Sequence, residues 1–188
     1  GVNMLKDIQL DTKQRMVQAI THTNTELAKV RTGRANPDIF NSISLDYYGV
    51  KTPLNQLSNI SVPQARLIVI QPYEKTLIPL IEKAIMENNL GLTPNNNGVV
   101  VNVPIPPLSE ERRGELIKYV HELIEDGRIA IRNVRRDAIH QIKQVGDKQK
   151  ISEDLIHDAE AEIQTLTDDH IEILNKHQED KEKELQEI

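Results

Sequence analysis

A proline-free stretch from Ser109 to Val145, SEERRGELIKYVHELIEDGRIAIRNVRRDAIHQIKQV, limits what this chain can fold into. Ser109 suits a helix N-cap, Glu110 and Glu111 suit the positive end of a helix dipole, and Gly146 suits a C-terminal stop. At about 1.5 Å per residue the helix would run roughly 55 Å, longer than one compact domain can wrap. Ile117, Val120, Ile124, Ile131, Val134, Ala138, Ile142 and Val145 recur at steps of three, four and seven. That is the seam of a helix lying along other helices. Gly127 falls inside it, where glycine costs about 1 kcal/mol relative to alanine and allows local bending.

A second stripe runs beside the seam. Arg128, Arg132, Arg135 and Arg136 stand at i, i+4, i+7 and i+8, within an arc of about 100° on a helical wheel. Between Gly127 and Gln144 the only acid is Asp137. Guanidiniums this close repel one another. Either they pair with acids on neighbouring helices or point into water, or an anionic partner lies between them.

The charge distribution bears on that choice. The net charge is −6, against a nucleic-acid-binding role for the chain as a whole, but the segment Ile151–Ile188 holds thirteen acids and three lysines. Cations on one helix and acids on another are a better sign of an anionic partner than the sum is. Aromatics make up 3% of the residues, with no Trp, so the apolar surface is expected in helical seams rather than one thick core. Cysteine is absent, which excludes disulfides, thiolate catalysis and Cys-ligated zinc. No apolar run reaches the length of a membrane span and no signal-peptide pattern opens the chain, so a soluble cytoplasmic protein is expected. Met4 reads as a natural start.

Taken in order, Met4 to Val30 is a helical pattern with Leu5, Ile8, Met16, Ala19, Ile20, Leu27 and Val30 on one face, Thr12 and Thr23 filling gaps, and Gly33 as the breaker. Ile43–Tyr48, Ser58–Val62, Arg66–Gln71 and Val99–Val103 are short and β-rich. Tyr47 to Pro53 reads as a strand entering a turn. Thr76–Asn88 is a helix pattern with Leu77, Leu80, Ile81, Ala84 and Ile85, and with Pro79 in its first turn, where proline is tolerated. Leu90 to Gly98 reads as a loop. The order β-β-β-α-β is an α+β insert that returns through the stiff segment Val103-Pro104-Ile105-Pro106-Pro107. A last helix starts near Ser152, with Leu155, Ala159, Ile163, Leu166, Ile173, Leu174 and Leu185 as its seam. The fold class is therefore α+β. A long three-helix bundle is built from both chain ends (1–31 and 107–188), and a small β/α/β domain (32–106) is inserted on a hinge.

Catalytic signals are weak. His121-Glu122-Leu123-Ile124-Glu125 begins like a zinc-protease H-E-x-x-H helix but ends in Glu, and reads better as an exposed charged face. His170 and His177 read as packed or capping groups. No phosphate-binding glycine motif and no nucleophile elbow occur. The chain is read as a non-enzyme, with no catalytic residues, metal or cofactor.

Several strings in order carry a resemblance: Arg31-Thr32-Gly33-Arg34-Ala35, Tyr47-Tyr48-Gly49, Leu90-Gly91-Leu92-Thr93-Pro94-Asn95, Val103 to Arg113, Val134-Arg135-Arg136-Asp137-Ala138 and Ile151-Ser152-Glu153-Asp154. Together they resemble ribosome recycling factors, from Met4 to the end of the chain. The resemblance implies a factor of translation termination that binds the post-termination ribosome and, with elongation factor G and GTP, splits it into subunits. It implies contact with ribosomal RNA of the large subunit through Arg31, Arg34, Arg113, Arg128, Arg132, Arg135 and Arg136. A hinge would lie at Thr32, Gly33, Arg34, Ala35, Pro104, Ile105, Pro106 and Pro107, and the protein would act as a monomer away from membranes. Arginine forks suit phosphate oxygens. Few aromatics argue against base stacking, so RNA shape and backbone would be read, with the acidic last helix facing away. Two other readings stay open. One is a structural bundle binding a protein partner; the other is a hydrolase built on the His121 helix.

Overall fold

The structure is a computed structural model that describes residues 2–88 and 90–186. Packing divides the chain into two compact units, Gly1–Arg31 with Glu110–Ile188, and Thr32–Ser109. The first holds α1 (Val2–Ala28), α4 (Glu110–Gln149) and α5 (Glu153–Gln186). The second holds α2 (Leu54–Leu57), α3 (Ile78–Glu87) and six strands: β1 (Ser44–Tyr47), β2 (Val50–Pro53), β3 (Ser58–Gln64), β4 (Leu67–Pro72), β5 (Asn95–Asn96) and β6 (Val101–Pro104).

In the helical unit all three helices pack on one another. Cross-helix partners fix their directions. Arg15 of α1 meets Asp137 of α4, while Thr23 of α1 approaches Gly127, so α1 and α4 run antiparallel. Arg135 reaches Gln164, Arg128 reaches Asn175, and His121 pairs with Glu182, so α4 and α5 are antiparallel too. One end is closed by Leu5, Ala138, Ile142 and Ile163. Buried hydroxyls in the seam are satisfied within their own helices. Thr12 donates to the Ile8 carbonyl (2.6 Å) and Thr167 to that of Ile163 (2.8 Å).

The seams differ from the periodicity in a few positions. Leu116 is buried where Ile117 was expected, and Ile117 is half-buried. Leu155 and Ile173 are each 41% exposed: Ile156 and Ala159 pack on the core near the first, and Thr167 and His170 take the seam places between Ile163 and Leu174 near the second. α1 stops at Ala28, and Val30 is buried in the turn that follows. The start of α5 is as the sequence suggests: Ser152 Oγ accepts from the Leu155 N–H (3.4 Å).

Two glycines of α4 have roles that local propensity did not suggest. Gly146 is not a stop, for α4 runs on to Gln149. Lys150 takes the left-handed position instead (φ 50), and the Ile151 N–H returns to the Gly146 carbonyl at 3.1 Å. A Cβ at Gly146 would lie 2.6 Å from Ile156 Cδ1, the movable end of a side chain. Gly127 is more constrained. Its Cβ would lie 2.6 Å from Thr23 Oγ1 on α1 and 3.0 Å from Leu174 Cδ1 on α5. Thr23 is held by a bond to the Ala19 carbonyl (3.1 Å) and cannot swing away without losing it.

In the small unit, β1 and β2 form a separate hairpin and the other strands an antiparallel sheet in the order β3-β4-β6-β5. The hairpin turn is Tyr48-Gly49, both at positive φ (50 and 82), the two-residue turn that matches strand twist. What read as a strand entering a turn is thus two strands. β5 falls inside the segment read as a loop and pairs with β6 through Asn95 and Asn96. Ile68 pairs with Val103 and Ile70 with Val101, all four wholly buried on one face of the sheet. Ile78, Ile81 and Ile85 of α3 belong to the same core, while Leu80 is 45% exposed.

Both segments that leave this unit are tied to its β3–β4 turn. Ala35 N–H donates to the Ala65 carbonyl (2.7 Å) and Ile105 N–H to the Arg66 carbonyl (2.8 Å). Gly33, at φ +75, lies against Leu108, whose Cγ would be 3.2 Å from a Cβ there.

Gly127→Ala should lower stability although alanine is the better helix former. Overpacking of about 1–3 kcal/mol opposes a propensity gain of about 1 kcal/mol. Gly146→Ala, facing a movable side-chain end, should cost less. Urea midpoints of the two variants check this ordering, and a more stable Gly127→Ala would contradict the close approach.

Candidate nucleic-acid interface

The stripe arises because three of its arginines each follow a buried position by one residue. Gly127, Ile131 and Val134 are buried, so Arg128, Arg132 and Arg135 emerge together on the α5 side of the seam, with Arg136 beyond them. The structure gives these four different surroundings.

Arg128 is turned to α5. Its Nε and Nη2 donate to Asn175 Oδ1 (3.0 and 2.7 Å), Nη2 also donates to Gln178 Oε1 (2.8 Å), and Nη1 donates to Glu125 Oε2 (3.0 Å). Only 21% of its side chain is exposed. Arg132 is 47% exposed and reaches back along α4 to Glu125 Oε1 at 3.3 Å. Arg135 is half-buried and touches Gln164 at 3.4 Å. Arg136 is exposed with no polar partner among the described residues. Lys143, two turns on and likewise exposed, lengthens the cationic face.

Asp137, the acid inside the stripe, is directed away from it. Its carboxylate pairs with Arg15 of α1 at 3.0 Å, on the opposite side of α4. Glu125 is the acid that does meet the stripe. The hydrogen bond from Arg128, with its charge and the Arg132 contact adding to it, holds its carboxyl below the usual carboxylate range although desolvation opposes this. It is therefore ionised throughout the neutral range. The stabilisation from this pairing is present above the unfolded carboxylate pKa and is lost only as pH falls through the lowered value.

The remaining expected residues are dispersed. Arg31, after α1, is exposed and has no polar partner among the described residues. Arg113 is half-buried, with its Nε buried and unbonded. Arg34 is exposed in the small unit, where Thr32, Gly33, Ala35, Pro104, Ile105, Pro106 and Pro107 also lie.

His121 and Glu125, ends of the near-motif, do not converge: His121 pairs with Glu182 and Glu125 with the two arginines. Among the described residues no group of three or more His, Cys, Asp or Glu is placed to hold a metal, and no helix is long and apolar enough to cross a membrane. The sequence reading missed Arg15, Glu125 and the amides of α5. A signal for the last was present. Gln164, Asn175 and Gln178 stand at i, i+11 and i+14, so three amides share one face of an otherwise acidic helix, with Asp168 and Glu182 beside them.

A family model described as ribosome recycling factor matches residues 23–185. The chain belongs to the ribosome recycling factor family. A ribosome-recycling factor of Syntrophomonas wolfei is 49% identical over 186 residues, 98% of this chain and 100% of that protein. A solution structure of the ribosome recycling factor is 41% identical with a TM-score of 0.70, covering 98% of both chains. Another structure presents models for the T. thermophilus ribosome recycling factor and the E. coli elongation factor G bound to the E. coli post-termination complex. Its matching chain is 40% identical, with a TM-score of 0.61 over 96% of this chain and 98% of that one. Membership of the recycling factor family places the chain in protein biosynthesis.

Within this member, stability and binding should separate along one stripe. Arg128→Ala removes bonds to α5 from a largely buried guanidinium and should cost about 1.5–3 kcal/mol. Arg136→Ala should leave the thermal midpoint within experimental error. Melting curves of the two variants test the division; equal midpoints would contradict it.

Proposed function

We propose that this chain binds the post-termination ribosome through large-subunit ribosomal RNA laid along α4 and, with elongation factor G and GTP, separates the subunits. The observation that carries the reading is the run of exposed Arg132, Arg136 and Lys143 with half-buried Arg135 among them, whose one internal acid is held on the far side of the helix by Arg15. Arginine forks of this kind suit phosphate oxygens. Arg31, Arg34 and Arg113 add contacts in this reading, and Arg128 contributes by fixing α4 to α5. The similar chain in a post-termination complex with elongation factor G supports the choice of partners. The protein acts as a cytoplasmic monomer and carries no catalytic centre of its own; GTP is hydrolysed on the partner.

Arg132→Glu or Arg136→Glu should keep helical content and weaken binding to large subunits. For every phosphate that a variant no longer neutralises, the dependence of log affinity on log salt should flatten by about one unit. Unchanged binding by a folded variant would favour a bundle that docks on a protein instead.

In the same reading the small unit is the lever, and Thr32–Ala35 with Pro104–Pro107 are its joint. Replacing residues 35–104 by a short Gly/Ser link keeps α1, α4 and α5. The product should compete with the intact protein in ribosome pelleting yet fail to split ribosomes in light-scattering assays with elongation factor G and GTP. Splitting at near-normal rates would end the two-part assignment.

A further inference from the structure

Glu125 has no place in the binding reading, yet among the described residues it is the one acid in contact with the stripe. Its two oxygens accept from two different arginines, Oε2 from Arg128 and Oε1 from Arg132. Those arginines are not equivalent. Arg128 has Asn175 and Gln178 besides, and stays in place whatever Glu125 does. Arg132 has Glu125 as its only polar partner among the described residues. The two lie seven residues apart, a rise of about 10 Å along the helix. Arg132 must therefore lie back along the surface of α4 to make this bond, and must leave it to reach an anion in front of the stripe. Carboxylate and phosphate oxygens compete for the same guanidinium edge.

We infer that Glu125 is an internal competitor for Arg132, occupying its guanidinium with a carboxylate that a ribosomal RNA phosphate must displace, so that it sets how tightly and how long the protein stays bound. This rests on the RNA-binding reading above. Both the carboxylate, 50% exposed, and Arg132, 47% exposed, are open to solvent, so the exchange needs no unfolding. An exposed pair of this kind is weak, and what it removes from RNA affinity is correspondingly modest. Because affinity differences between related complexes fall mostly on dissociation, the effect should appear there.

The test is Glu125→Gln in the full chain, assayed with purified large ribosomal subunits at low and moderate salt. It should bind about two- to fivefold more tightly, the range expected for releasing one exposed ion pair, chiefly through slower dissociation. Glu172→Gln makes the same change in net charge at an exposed α5 position with no polar partner among the described residues, and should bind as the parent does. Equal tightening by both variants would reduce the effect to net charge and overturn the inference, as would unchanged or weaker binding by Glu125→Gln. In an Arg132→Ala background the gain should vanish. A gain that persists there would mean that Glu125 repels RNA directly, which also overturns it. Arg132→Ala alone separates the two layers. If it weakens binding while Glu125→Gln changes nothing, only the competitor fails; if it binds like the parent, the interface reading fails and the competitor with it.

Discussion

At one level of the bundle α4 touches both of its neighbours, and Gly127 is what lets it. Thr23 presses from α1 and Leu174 from α5, at distances that a Cβ on α4 could meet only by moving them. The register of the unit follows from that approach. With Gly127 opposite Thr23, Arg15 falls opposite Asp137; with Gly127 against Leu174, Arg128 falls beside Asn175 and Arg135 beside Gln164. A shift of one helical turn, roughly 5.4 Å, would put a full side chain into the narrow place and part each of these pairs. The arrangement of the cationic stripe thus depends on a residue that carries no charge.

The helices were legible because each buries one face at a steady period, and Met16, Ile124, Ile131, Ile142 and Ile163 announce it. The exceptions share a cause. Gly146 and Gly127 look like a stop and a weak point when only local propensity is weighed; both are explained by side chains beyond the reach of local propensity, Ile156, Thr23 and Leu174. β2 was hidden because Val50-Lys51-Thr52-Pro53 has no apolar alternation and is largely exposed. β5 was hidden because Asn95 and Asn96 are exposed and carry no apolar side chain into the sheet. Neither strand buries a face, so neither leaves a pattern to read.

The stripe divides in the same way. Its arc follows from spacing alone. Which arginine a neighbouring helix takes does not, since Asn175 and Gln178 meet Arg128 only after α5 folds back. Four similar residues on one face become a packing strut (Arg128), a side chain shared with Glu125 (Arg132), one partly covered by α5 (Arg135) and one open to solvent (Arg136). Burial, not residue type, separates them.

The segregation of charge has a kinetic consequence. The molecule carries a net −6, with its cations concentrated along α4 and exposed acids such as Asp158, Glu162, Asp169, Glu172 and Glu179 on α5. Near any polyanion such a body is repelled as a whole and turned by a torque at once. In the proposed binding mode, encounters led by α5 would be pushed back and those led by α4 favoured. Added salt, which shortens the reach of both effects to about 8 Å near physiological strength, would let more collisions occur while sorting them less well by orientation.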